Sequence, residues 1–222
     1  MNIQTEAELV SELVSVLKHQ FKTDSVVREF AGGYGIADLV FARNFFTKNN
    51  ILNRVPINNY YALKSYLSLS DNTPFTIDDI TRSSGTSRFL SQKIISSLLS
   101  NKYIYKESNV YFKNKLKFDN PIKRLVAIEV KLKDWRQGIL QARRYKSFTD
   151  ECYLAILSSY EKNIDCSYLE KFGIGLILFN NKTGRIWIKR KPIKNNVLSF
   201  YEDVMGLFAK ELFLHQTTSL KF

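Results

Sequence analysis

Cysteine, histidine, proline and glycine are all scarce in this chain of 222 residues, which has 2 Cys, 2 His, 4 Pro and 9 Gly. Cys152, Cys166, His19 and His215 are too few donors for a zinc site of the Cys/His type, and nothing else marks the two thiols as a disulfide pair. No apolar run approaches the roughly 18 residues of a membrane span. The N-terminus lacks a basic stretch followed by an apolar one, so the expectation is an intracellular, cytoplasmic protein with no membrane partner. Low proline and glycine with 45% hydrophobic and 14% aromatic residues describe a globular chain that can bury a sizeable core.

Acidic residues are scarce only in places. Residues 45 to 122 carry 11 Lys/Arg against 5 Asp/Glu, residues 123 to 146 carry 8 against 2, and residues 182 to 194 carry 6 against none. Each segment contributes +6 to a total of +12, and the remainder sums to −6. Concentrated positive charge fits a polyanion partner better than general solubility, and DNA is the expectation. A solvated face or a membrane-surface patch is the ordinary alternative.

Residues 4 to 21 read as a helix with Leu9, Leu13, Val16 and Leu17 on one stripe. "SVVREF" and "IADLVF" read as strands joined by the glycine-rich turn "AGGYG", which is not a phosphate-cradling motif because a strand follows it. After Arg43 the pattern changes to "NNYYALKSYLSL", "TIDDITRSSG" (capped by Thr76 and closed at Gly85) and "TSRFLSQKIISSLLSNKY", three helical runs, then "YIYKESNVYFKNK", a hairpin. This order resembles a winged helix, and so implies a helix-turn-helix DNA-binding module. The strand "RLVAIEVKL", a helix from Trp135 to about Phe148, the strand "CYLAILS", a short helix near Tyr168, the strands "GIGLILF" and "GRIWIKR", and a terminal helix complete the chain. Residues 1–44 plus 121–222 then form one α/β unit with a mixed sheet flanked by helices, and 45–120 is an insertion in it.

Within "VAIEVKLKDW", residues 126 to 135, a period of two puts Val126, Ile128, Val130 and Leu132 on one face and Ala127, Glu129, Lys131 and Lys133 on the other. Taken alone, a carboxylate and an ammonium on the same face suit an edge strand with a solvated side and a Glu129–Lys131 salt bridge. Three further residues are polar where the pattern expects otherwise. Asp38 shares a face with Ile36 and Val40, Glu6 falls on the apolar stripe of the first helix one turn before Leu9, and Gln141 lies on the helix that follows the Glu/Lys strand. Carboxylates converging on one buried place repel unless a cation is present.

An aspartate in "GIAD", residues 35 to 38, Glu-x-Lys on a later strand, a leading-helix glutamate and a following-helix glutamine together resemble the PD-(D/E)XK nuclease superfamily. The resemblance covers residues 1 to 44 and 123 to about 180. Residue 37 is Ala where the motif's first letter is Pro, and about 90 residues separate Asp38 from Glu129, a gap filled by the insertion. The resemblance implies a restriction-endonuclease-like fold and a metal-dependent DNA endonuclease. It further implies that Asp38, Glu129 and the carbonyl of Val130 bind Mg²⁺ or Mn²⁺, that Glu6 completes the shell directly or through water, that Lys131 holds the nucleophilic water or stabilises the transition state, and that Gln141 orients Lys131 or a phosphate oxygen. The implied partners are double-stranded DNA, in the nucleoid, and a second copy of the chain.

In the insertion, Thr86, Ser87, Arg88, Gln92 and Lys93 are expected to face DNA from the recognition helix, with Lys113, Lys115 and Lys117 near phosphates at or beyond the wing. Both connections of the insertion are expected to leave the sheet beside the metal site. The alternative to an endonuclease is a DNA-binding regulator that keeps the nuclease fold without cutting.

Overall fold

The structure, a computed structural model, describes residues 3–46, 54–114, 118–194 and 199–218. In chain order the elements are α1 (Glu6–Phe21), β1 (Val26–Gly33), β2 (Gly35–Ala42), α2 (Tyr60–Ser68), α3 (Ile77–Ser84), α4 (Arg88–Ser100), β3 (Ile104–Glu107) and β4 (Val110–Lys113). They continue with β5 (Leu125–Lys131), α5 (Trp135–Tyr145), β6 (Glu151–Leu157), α6 (Cys166–Phe172), β7 (Gly175–Asn180), β8 (Arg185–Arg190) and α7 (Phe200–Thr218). A 3-10 turn over Ser158–Asn163, unmarked by any sequence pattern, links β6 to α6. The chain divides into two compact units, Met1–Ile51 with Pro121–Phe222, and Leu52–Asn120. The boundary thus falls near residue 51, beyond the change of pattern at Arg43.

The first unit holds a six-stranded mixed sheet in the order β1-β2-β5-β6-β7-β8. β5, β6 and β7 run parallel, and β1, β2 and β8 complete the sheet with antiparallel pairings. Every residue of β5 and β6 is buried, whereas β8 alternates along its length and exposes Arg185 and Lys189. Continuous apolar runs belong to parallel strands covered on both faces, and charged alternation belongs to an edge. β5 is therefore a central strand, and the edge-strand reading of Glu129 and Lys131 does not hold.

One face of the sheet packs on α1. Leu9, Leu13, Leu17 and Phe21, spaced by four, bury against Leu39, Phe41, Val126, Ile128, Val130 and Ala155. α1 begins at a reciprocal cap, in which the Thr5 hydroxyl accepts the Glu8 N–H and the Glu8 carboxylate accepts the N–H groups of Gln4 and Thr5. α5 covers the opposite face, so closely that a Cβ at Gly138 would stand 2.6 Å from Leu154 and 2.9 Å from Lys131. α7 packs on β1, where Phe30 lies between Phe148 and Phe213 with ring centroids 6.1 and 6.2 Å away.

The antiparallel register of β2 and β5 runs from Ala42 opposite Leu125 to Leu39 opposite Ile128. The insertion leaves after Ala42 and returns before Leu125, while Asp38 and Glu129 lie at the other end of this pairing, about 13 Å away along the strands. The expectation that the insertion joins the sheet beside the metal site is corrected: two antiparallel strands joined at one end carry these side chains toward the other.

The second unit is three helices followed by a two-stranded sheet. α3 starts at Thr76, whose backbone N–H and hydroxyl meet the Asp79 carboxylate at 2.8 Å each, and ends at Gly85, whose φ of 71° is left-handed backbone that glycine accepts without strain. Ser87 caps α4. Phe75, just before α3, exchanges two backbone hydrogen bonds of 2.9 Å with Tyr111 of β4, which adds a one-residue third strand to the β3–β4 hairpin. Tyr66 and Tyr103, with ring centroids 5.1 Å apart, are fully buried in the core of this unit.

Among the described residues no helix is long and apolar enough to cross a membrane, and both cysteines are free. Burial pushes the Cys152 thiol up to about 12.

Candidate active site

Pairing between β2 and β5 stops at Leu39 and Ile128, and beyond it a side chain replaces the backbone: the Asp38 carboxylate accepts the N–H of Val130 at 2.7 Å. Asp38 sits on the face covered by α5, one step past the last paired residues. This arrangement satisfies a backbone donor on a central strand and brings Asp38 beside Glu129.

Glu129 is 1% exposed and Lys131 8%. The Lys131 ammonium lies 2.7 Å from the Glu129 carboxylate and 3.3 Å from that of Glu6, which reaches in from the first turn of α1. The other Glu129 oxygen meets the hydroxyl of Tyr145, and that hydroxyl is also 2.7 Å from the carbonyl oxygen of Ile36. Glu6, Lys131, Glu129 and Tyr145 thus form one connected polar group, with Asp38 beside it where β2 and β5 part.

Burial raises the carboxyl of Glu129 above its ordinary range, and the neighbouring charge of Asp38 pushes it the same way; the hydrogen bonds from Lys131 and Tyr145 only partly oppose this. Burial likewise raises Asp38, against the Val130 N–H and the Lys131 charge. For Lys131 burial favours the neutral amine, but the Glu129 and Glu6 carboxylates outweigh it and hold the ammonium above its ordinary value. Lys131 is therefore a fixed positive charge at neutral pH and not a free base. Burial and the Glu129 hydrogen bond both raise the Tyr145 phenol, which stays a donor.

The Gln141 Oε1 atom is buried and accepts no hydrogen bond among the described residues. Gln141 lies one turn before Tyr145 on α5, and its expected bond to Lys131 is not formed. Tyr145 is the member that sequence reasoning missed. An aromatic residue at helical spacing from Gly138 and Ala142 reads as core, and its ring does pack on Phe148 with centroids 5.8 Å apart.

Asp38 and Glu129 fit a hard divalent cation. They are adjacent oxygen donors whose protonation is favoured by burial and, at Glu129, by the charge of Asp38, with an unsatisfied amide oxygen on the adjoining helix. Glu6 is engaged by Lys131, and no group of three or more His, Cys, Asp or Glu side chains that could hold a metal occurs among the described residues.

In the second unit, Ser87, Arg88, Gln92 and Lys93 are exposed on the first turns of α4 or at its cap. Arg88 pairs with Asp78 of α3. The Thr86 hydroxyl is turned inward to those of Ser84 and Ser91, at 2.7 and 3.2 Å. The Lys113 ammonium is engaged by Asp71 at 3.1 Å and by the Leu69 carbonyl, and lies 4.8 Å from the centre of the Tyr66 ring. Lys115 and Lys117 lie outside the described residues. Phe89, 64% exposed with the Lys93 ammonium 4.5 Å from its ring centre, is a prominent residue of this face that polar patterning in the sequence does not mark.

The chain matches no protein-family model, no curated protein and no solved structure.

Proposed function

We propose that this protein is a metal-dependent DNA endonuclease of the PD-(D/E)XK type, with a winged helix inserted between the strands that carry its two acidic ligands. The observation that carries the reading is the convergence of Asp38, Glu129 and Lys131 where β2 and β5 part, on a buried central strand where a mere surface ion pair has no reason to be. Salt bridges buried in this way are poor stabilisers, which favours a chemical use for the pair.

Asp38 and Glu129, with the Val130 carbonyl, would hold Mg²⁺ or Mn²⁺, which supplies a more acidic bound water and charge to offset that of the phosphate. The chain's own groups do the rest. Lys131, kept protonated by its carboxylate neighbours, presents positive charge to the phosphoryl oxygens as negative charge develops on them. Glu6 holds the Lys131 ammonium in place, Tyr145 fixes the Glu129 carboxylate, and Gln141 offers an acceptor to the nucleophilic water.

The winged-helix part rests on the order of three helices and a hairpin, with the Phe75–Tyr111 bridge adding the short third strand, and on exposed Ser87, Arg88, Gln92 and Lys93 at the start of the third helix. The test is incubation of purified protein with duplex DNA and with a fork of the same sequence, in Mg²⁺ and in EDTA. Scission that requires Mg²⁺ supports the reading; DNA bound but intact in both leaves the non-cleaving regulator.

A further inference from the structure

The "AGGYG" turn has no role in the chemistry so far, yet it borders the site. Tyr34 at its tip is 59% exposed, Ile36 just after it is 60% exposed, and Tyr201 at the start of α7 is 47% exposed. Large apolar groups gathered in one place are not ordinary surface. The Tyr34 and Tyr201 hydroxyls are 3.1 Å apart, so the turn and the helix present their rings together.

The patch is tied to the polar group at two points. The Tyr145 hydroxyl, which donates to Glu129, also lies 2.7 Å from the Ile36 carbonyl oxygen. Gly35, with φ of 114°, lies so near that a Cβ there would stand 3.3 Å from the Tyr145 ring and 3.9 Å from Arg144 Cδ. Ile36 and Asp38 are two residues apart on β2, about 7 Å. The exposed Arg144 borders the turn on the α5 side, Lys131 lies with Glu129 in the polar group, and Glu202 and Asp203 follow Tyr201 in the first turn of α7.

We propose that Tyr34, Ile36 and Tyr201 form a stacking platform for an unpaired DNA base beside the phosphate held at Asp38, Glu129 and Lys131. The inference rests on the nuclease reading and names its substrate class: DNA with unpaired nucleotides at or next to the cut, such as a fork or flap. Cations next to aromatic faces suit a polyanion that carries planar rings, with Arg144 reaching a flanking phosphate. A base inside an intact duplex is already stacked on both sides and gains nothing from the platform; a splayed base does.

The test is binding in EDTA, where no cleavage is needed for a readout. Two DNA probes of the same sequence are used, a fork with 2-aminopurine in its single-stranded arm and the fully paired duplex. The wild-type chain binds the fork more tightly than the duplex and quenches the 2-aminopurine. Tyr34→Ala loses about 5- to 100-fold in fork affinity and leaves duplex affinity unchanged, while Tyr34→Phe, which keeps the ring, binds like wild type. Tyr201→Ala shows the same selective loss and serves if Tyr34→Ala is misfolded by circular dichroism. Equal fork affinities of the wild-type and alanine variants overturn the platform and leave the nuclease reading standing. A wild-type chain that binds neither probe overturns both.

Discussion

The Lys131 ammonium and the Glu129 carboxylate, two residues apart on one buried strand, are in contact at 2.7 Å, and the phenol of Tyr145 closes the opposite side of the carboxylate. The salt bridge expected of a solvated strand is present, but on a central one. There each partner is too buried to be explained by solubility, and the pair is one part of a group that includes Asp38 and Glu6.

The stability that Asp38 and Glu129 contribute should fall as pH rises through the acid range. Asp38 and Glu129 are raised above their ordinary values of 3.8 and 4.5, so the folded chain binds these protons more tightly than the unfolded one. Their favourable contribution is complete below the ordinary values and is lost as pH climbs through the raised ones. Urea unfolding from pH 4 upward, in EDTA, should show that decline in the wild-type chain relative to Asp38→Asn, and Mg²⁺ should reverse it at neutral pH by binding the folded state.

Asp38→Asn should uncouple stability from activity. The amide oxygen can still accept the Val130 N–H while the repulsion of Glu129 is gone, so the melting temperature at pH 7 in EDTA should rise by about 2–4 °C. Cleavage should disappear, and calorimetry should find Mn²⁺ binding lost. Retained Mn²⁺ affinity would move the metal to another site.

Tyr145→Phe should keep the ring packing on Phe148 and lose only the phenol's hydrogen bonds. A hydrogen bond to a charged group contributes about 1.5–3 kcal/mol, so cleavage should drop by about 10- to 100-fold. The Tyr145 bond is one of the influences that lower Glu129, so without it the acid limb of the pH–rate profile should move to higher pH. An unchanged profile with an unchanged rate would reduce Tyr145 to packing.

Asp38, Glu129 and Lys131 were legible because a polar residue in a period-two apolar pattern is conspicuous, and Thr76 and Gly85 announced their helix ends by the chemistry of caps. Tyr145 was not, because one residue serves both core and site and its ring hides its hydroxyl. The inward turn of Lys113 and Thr86 was equally hidden: which donors a small unit uses for its own hydrogen bonds depends on packing between elements far apart in sequence. The place where the insertion joins the sheet follows from the β2–β5 register, which element order alone does not contain.

Excision of residues 52–120, with a short glycine-containing closure, should leave a folded core, since Ala42 and Leu125 remain paired and the Arg43 N–H still meets the Arg124 carbonyl at 3.0 Å. The excised segment carries 10 Lys/Arg against 5 Asp/Glu. Binding should weaken and its dependence on salt should become shallower, by about 0.9 in the log–log slope for each phosphate contact removed. Cleavage should persist at low salt with less discrimination among sequences. Undiminished binding and discrimination would make the insertion a module for a protein partner.

The most direct measurement compares the wild-type chain and Lys131→Ala on supercoiled plasmid in Mg²⁺, with DNA binding followed in parallel by gel shift. Lys131 is one of 33 basic residues, so its removal should scarcely change affinity, yet it supplies the fixed charge beside the Asp38–Glu129 pair. The account predicts that the wild-type chain nicks the plasmid only when Mg²⁺ is present, and that Lys131→Ala binds it and leaves it intact. Nicking by Lys131→Ala at the wild-type rate, or no nicking by the wild-type chain, would contradict it.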